Sequence, residues 1–142
     1  MQAQLTLSSS PIHQVLQVTR IYKSWTEVSY DELTDGPKLT RATVSNILEG
    51  DIEGESWEEY LMMYQYDGSC SFVSMERVVG CIGDRSGSFV VKGVGTYEQG
   101  IAQGQLTIVP GSGTRDFTDL KGFGEFFAVK GQHATVILTC TF

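Results

Sequence analysis

Asp84–Tyr97, reading DRSGSFVVKGVGTY, and Thr107–Thr114, reading TIVPGSGT, decide the fold. Both are β-branched apolar runs fenced by glycine, serine and proline. The interval between breakers is that of short antiparallel strands, not helices. Ile101–Val109 pairs back on Ser88–Tyr97 through the short, glycine-ended connection Glu98–Gly100. Upstream, the strand Cys70–Ile82 is joined by the hairpin turn Asp67–Gly68 to Trp57–Tyr66. Leu39–Ile52 alternates, with Ala42, Val44, Asn46, Leu48 and Ile52 on one face and Arg41, Thr43, Ser45 and Glu49 on the other. A first strand covers Val15–Tyr22, and the acidic run SYDELTDGPKL, ended by Gly36–Pro37, reads as a loop.

Downstream, PGSGTRDFTDLKGFGEF reads as a longer loop with one helical turn at Asp116–Leu120. Glu125–Val129 and Ala134–Phe142 are the last strands. A meander of about eight strands closes on itself, because closure removes unpaired edges. The expectation is an all-β chain: one closed, lipocalin-like antiparallel barrel over residues 15–142, after a polar, flexible extension over residues 1–14. Glycines within strands (Gly93, Gly95, Gly104) suit a strongly curled sheet. No GxxxxGK[ST] loop or Rossmann fingerprint is present, which argues against nucleotide-binding α/β folds.

The 142 residues are enough for one core without metal or disulfides, and 41% are hydrophobic. A formal charge of −7, with few and scattered basic residues, argues against a nucleic-acid partner. No apolar run is long enough to span a membrane, and the N-terminus lacks the pattern of a secretion signal. Three cysteines (Cys70, Cys81, Cys140) without paired spacing fit free thiols in a reducing cytoplasm.

Seven short motifs stand in an order that resembles one family. They are Trp25-Thr-Glu27, Tyr30-Asp31-Glu32, Gly36–Ala42, Gly50–Ser56, Ser71–Val73 with Glu76-Arg77, Arg85–Phe89 and Pro110–Thr114. The family consists of small, mostly bacterial proteins of unknown function whose barrel is similar to that of allene oxide cyclase. The likeness runs from about Val18 to Phe142. It implies a closed barrel with a lipophilic cavity and brings no established reaction. The family pattern often carries a histidine where this chain has Gly93, and the stretch up to Gln14 has no counterpart in it.

Chemistry is harder to read. The only histidines, His13 and His133, lie in the presumed tail and beside a turn, and neither has an evident nucleophile partner. The histidines and cysteines show no recurrent metal-ligand spacing, so neither metal nor cofactor is expected. Glu76 shares a face with Phe72 and Val78, and a carboxylate among apolar neighbours suits acid–base work. The opposite face (Val73, Met75, Val79) is also apolar, so alternation leaves open which side is inside. Glu76 and Tyr64 are the candidate catalytic groups. Tyr60, Met62, Phe72, Glu55, Asn46 and Phe89 are the candidate ligand contacts. PGSGT resembles a phosphate-cradling loop only superficially, because no helix starts directly behind it.

The functional expectation is a barrel that holds a small lipophilic molecule, neutral or acidic, and steers its cyclisation or isomerisation. Two alternatives stay open: a non-catalytic carrier or sensor, and a structural barrel assembling as a homo-oligomer.

Overall fold

The computed structural model describes residues 13–32 and 34–142. Eight strands follow one another: β1 (His13–Glu32), β2 (Lys38–Gly50), β3 (Glu53–Tyr64), β4 (Cys70–Ile82), β5 (Arg85–Glu98), β6 (Ile101–Ile108), β7 (Lys121–Val129) and β8 (Ala134–Thr141). Each pairs antiparallel with its neighbour, and β8 returns to β1, closing the barrel. The extension expected over residues 1–14 lies outside the described residues up to position 12. His13 and Gln14 already pair with Thr141 and Cys140.

Alternation makes the wall one residue thick, with one parity of each strand inside. Leu16 and Val18, Ala42 and Val44, Tyr60 and Met62, Phe72 and Val78, and Phe89 and Val91 all belong to that inner set. Gly95 and Gly104 face each other across β5 and β6. A Cβ would sit 2.8 Å from the Phe72 ring at Gly95 and 2.7 Å from the Phe126 ring at Gly104. The missing side chains let the two rings lie against the wall, as glycine permits.

Several boundaries differ from the sequence reading: β3 starts at Glu53 and β5 at Arg85, and β1 and β7 are also longer than expected. The first strand, expected to end at Tyr22, continues to Glu32 and takes in the start of the expected loop at Ser29, paired with β2 as far as Glu32↔Lys38. Register shifts at Tyr22/Ser24 and Ser29/Asp31 leave Lys23 and Tyr30 as extra residues, and these bulges absorb the polar run. β7 starts at Lys121 because Gly122 and Gly124 pair with Cys140 and Leu138. The expected helical turn is a single 3-10 turn at Arg115–Phe117.

The stagger of the barrel has one consequence for the site. β1 pairs with β8 only from His13↔Thr141 to Arg20↔Ala134. The row of partners that leaves β1 at Glu32 comes round the barrel and rejoins it at Arg20, twelve residues lower (32 − 20). Ten of those residues are regular strand, roughly 33 Å at ~3.3 Å each. The upper half of β1 therefore overhangs the rim, with β2 on one side and, among the described residues, no strand on the other.

The lower end, which holds the β6–β7 connection, is sealed. Phe117 and Leu120 are buried there, with Phe117 edge-on to Phe89 at 5.5 Å. Thr114 N–H donates to the Ser88 carbonyl at 2.8 Å, and Val90 N–H donates to Ser112 Oγ at 3.0 Å. PGSGT is thus a turn stapled along β5.

Candidate functional site

Inner positions of β1 to β4 carry polar residues at mid-height. Arg20 lies between Val18 and Tyr22 on the inner parity of β1 and reaches across the lumen to β4. Its Nη2 donates to Glu76 Oε1 at 2.7 Å and its Nε to Glu76 Oε2 at 3.1 Å, a two-pronged pair. Glu58 lies directly opposite Glu76 across β3 and β4, also inside. Its Oε1 is 3.8 Å from Arg20 Nε. Like charges opposite one another repel, and this pair has one guanidinium between two carboxylates. Arg20, Glu58 and Glu76 are 3%, 1% and 3% exposed.

The remaining bonds to Glu58 come from neutral groups. Asn46 Nδ2 donates to Glu58 Oε1 at 2.5 Å and to Ser56 Oγ at 3.0 Å, and the Tyr60 hydroxyl donates to Glu58 Oε2. Burial pushes the Glu58 carboxyl above its ordinary range. Arg20 works against that shift, while Glu76 adds to it. Arg20 gives two nitrogens to Glu76 and stands 3.8 Å from Glu58, so Glu58 is the less fully compensated of the two. Burial alone would lower the pKa of Arg20, and the two carboxylates reverse this, so it remains a cation. Asn46 Oδ1 is fully buried and has no hydrogen-bond partner among the described residues.

Above this floor the overhang carries aromatic rings. Tyr22 and Trp25 pair across β1 and β2 with Asn46 and Val44, so they face inward. They nevertheless stay 39% and 45% exposed, because no β8 residue stands opposite them. Trp25 stacks on Tyr60 with centroids 5.7 Å apart, and Tyr22 meets Trp25 at 84°. Higher up, Glu27 accepts from Tyr64 Oη at 2.7 Å, Thr40 Oγ1 at 2.8 Å and Trp25 Nε1 at 3.0 Å. Burial raises the Glu27 pKa, but these three donors and Lys38 outweigh it and hold the carboxyl below its ordinary value.

The structure gathers Glu76, Asn46, Tyr60, Met62, Phe72 and Tyr64 in or above the lumen, which settles the face that alternation left open. Two other residues lie elsewhere. Glu55 is on the outer wall, paired with Lys23 at 3.5 Å. Phe89 packs at the sealed lower end against Phe117. Sequence reasoning missed Arg20, Tyr22, Trp25, Glu27 and Glu58. Extending the parity of Tyr60, Met62 and Tyr64 backward reaches Glu58, and extending that of Leu16 and Val18 forward reaches Arg20.

The expected roomy lumen needs correcting. Side chains leave about 20 Å³ between Arg20, Glu76 and the Val–Leu shell below them, room for one water molecule. The aromatic wall and the arginine–glutamate bridge occupy the rest.

The family model for the protein of unknown function DUF3224 matches residues 20–139. The chain belongs to that family. A family member from Shewanella oneidensis MR-1, of unknown function, is similar at 23% identity with a TM-score of 0.71, over 94% of this chain and 98% of that one. A conserved protein of unknown function from Rhodopseudomonas palustris is similar at 10% identity and TM-score 0.58, over 94% and 99%. One from Clostridium acetobutylicum follows at 8% and 0.56, over the same shares. Among curated proteins none matches. Among the described residues no helix is long and apolar enough to cross a membrane, and no group of three or more His, Cys, Asp or Glu could hold a metal.

Proposed function

We propose that this member of the DUF3224 family binds a small, largely apolar molecule against the Trp25–Tyr22 wall and promotes its cyclisation or isomerisation by proton exchange with Glu58. One observation carries the reading. Two carboxylates share a single arginine at the floor of an aromatic opening, and burial raises the pKa of one of them, Glu58. A buried carboxyl with a raised pKa beside a phenol suits general acid–base work.

Glu76 then anchors Arg20, and Tyr60 steadies the Glu58 carboxylate once its proton has left. An isomerisation adds and removes no atoms, so Glu58 donates a proton to one atom of the guest and takes one back from another. Holding a flexible guest folded against the rings supplies the rest, up to ~7–11 kcal/mol in favourable intramolecular cases. Tyr64, Met62 and Phe72 line the approach. Three free cysteines suit a reducing compartment.

Native mass spectrometry of protein purified from its own host is expected to show a retained small molecule. Glu58→Gln should keep that molecule and abolish its conversion. Retention with unchanged conversion would remove Glu58 from the chemistry. Retention by both forms, with no conversion by either, would make the barrel a carrier.

A second reading, a self-assembling structural barrel, is favoured by the outer wall. Leu61, Val73 and Val94 form one cross-strand row, each about half exposed, with Met75 beside it. Sedimentation at several concentrations tests it.

A further inference from the structure

Closure of the barrel leaves the edge of β1 bare above Arg20. Up to that residue the lane beside β1 is filled by β8, which starts at Ala134. Along Ile21–Glu32 no strand among the described residues fills it. Unpaired backbone N–H and C=O groups on such an edge are a template for another strand. All of these residues except Ile21 and Glu27 are exposed. Tyr22, Trp25, Val28 and Tyr30 put four exposed large apolar side chains on this half-strand, while β4, the next richest strand, has three.

The shape of the lane singles out its occupant. A second copy laid antiparallel brings an overhang of the same length, and its own lane is filled in return. Pairing must set inward residues against inward ones, which puts the two-fold axis through a residue. An axis at Trp25 runs the partner's Asp31 and the partner's Glu32 into β8. An axis at Glu27 sets two carboxylates directly opposite, a repulsive arrangement. With Thr26 on the axis, Trp25 meets the partner's Glu27 and Ser24 the partner's Val28. Once the extra residues Lys23 and Tyr30 are allowed for, Ile21 meets the partner's Asp31, and the partner's Glu32 ends its strand against Ala134. Lys23 comes diagonally beside the partner's Asp31, one attractive contact on each side of the axis.

We infer that two copies of this chain join along the free edge of β1, antiparallel about Thr26, so that one sheet runs through both barrels. The Trp25 ring, exposed in the single chain, is covered by the second overhang. Each opening gains the partner's Trp25 and the partner's Glu27 along its bare side. This contact is distinct from the outer row of Leu61, Val73 and Val94.

Sedimentation of the full chain over a range of concentrations is expected to show a monomer–dimer equilibrium. Thr26→Lys sets two ammonium groups opposite one another on the axis, where like charges repel; in the single chain that position is exposed on the outer wall. It should raise the dissociation concentration at least tenfold with the circular dichroism of the fold unchanged, and Val73→Lys should leave that concentration as it was. Thr26→Cys, in a chain that also carries Cys81→Ser to remove the exposed thiol, reads the register. Facing Cβ atoms lie ~4.5–5.5 Å apart, so copper–phenanthroline oxidation should cross-link the two copies. Thr43→Cys, one strand further in on each copy and roughly 14 Å from its counterpart, should stay unlinked. A single chain at every concentration would overturn the pairing. So would a dimer that Val73→Lys dissolves and Thr26→Lys does not, or equal cross-linking from both positions.

Discussion

Below Arg20 the barrel is closed by carbon; above it, the same eight strands leave an opening floored by charge. At the lower end Phe117 packs on Phe89 with Leu120 buried nearby, and the inner residues there are apolar apart from Ser56, as the burial of apolar surface favours. At the upper end the overhanging half of β1 lacks a β8 partner, and inward-facing rings remain in water's reach. The lower end holds the chain together. The upper end spends stability on a buried ion cluster and on exposed aromatics, a cost usually met at functional sites.

The largest effect should come from breaking the charge balance at the boundary between these halves. Arg20→Met leaves two facing carboxylates without their cation, and removing one partner of a buried pair costs about 3–5 kcal/mol. Chemical denaturation is expected to show that loss. Adding Glu58→Gln and Glu76→Gln to the same chain should recover most of it, because a neutral floor needs no cation. A triple variant no more stable than Arg20→Met would mean that the guanidinium matters through packing on Phe126 rather than charge.

Truncating one ring at each end compares the ends directly. Phe117→Ala empties a closed apolar site and should cost about 3–5 kcal/mol. Trp25→Ala removes a ring that is nearly half in water, and about 1 kcal/mol is expected, at the low end for substitutions that make no enclosed cavity. Equal losses would show the upper end to be as closed as the lower one.

A smaller effect separates the ends by pH. The Glu58 carboxyl is raised in the folded chain, so from about pH 4.3, its unfolded value, up to its folded value the native state holds a proton that the unfolded chain has released. Glu58 thus stabilises below that window, and the contribution is lost as pH rises through it. The slope cannot exceed ~1.4 kcal/mol per pH unit for one proton. Denaturant midpoints measured from pH 4 upward are expected to fall less steeply for Glu58→Gln than for the parent chain. Glu27 acts in the opposite sense: its carboxyl is lowered, so what it contributes is lost as pH falls. Parallel curves for the two chains would place the proton elsewhere.

The two ends also differ in how far the sequence disclosed them. Strand order and closure follow from turn chemistry and alternation, both local, and the breakers around Ser88–Tyr97 displayed them plainly. The inner face of β4 needed one more fact, because Val73, Met75 and Val79 outside are as apolar as Phe72 and Val78 inside. β1 was read ten residues short, since an edge strand with bulges looks like a polar loop. The floor of the site depends on the stagger that brings Arg20 level with Glu58 and Glu76, and no local pattern records it. Parity alone would have put Glu58 beside Tyr60, yet nothing in WEEYLMMY says that an arginine waits across the lumen.

The smallest expected effect lies on the outer wall and tests whether the contrast between the ends is the only one that matters. Val73 is half exposed in a row with Leu61 and Val94, and it touches neither end of the lumen. Val73→Lys in dilute solution should change the stability of the single chain by no more than about 0.5 kcal/mol, as surface substitutions do. If copies assemble through this row, the same lysine places unpaired charge in the contact, and sedimentation should show the assembly dissolve while the fold stays intact. A loss above ~1 kcal/mol in dilute solution would mean that the row is covered within the single chain, and the barrel would have a third region whose packing matters.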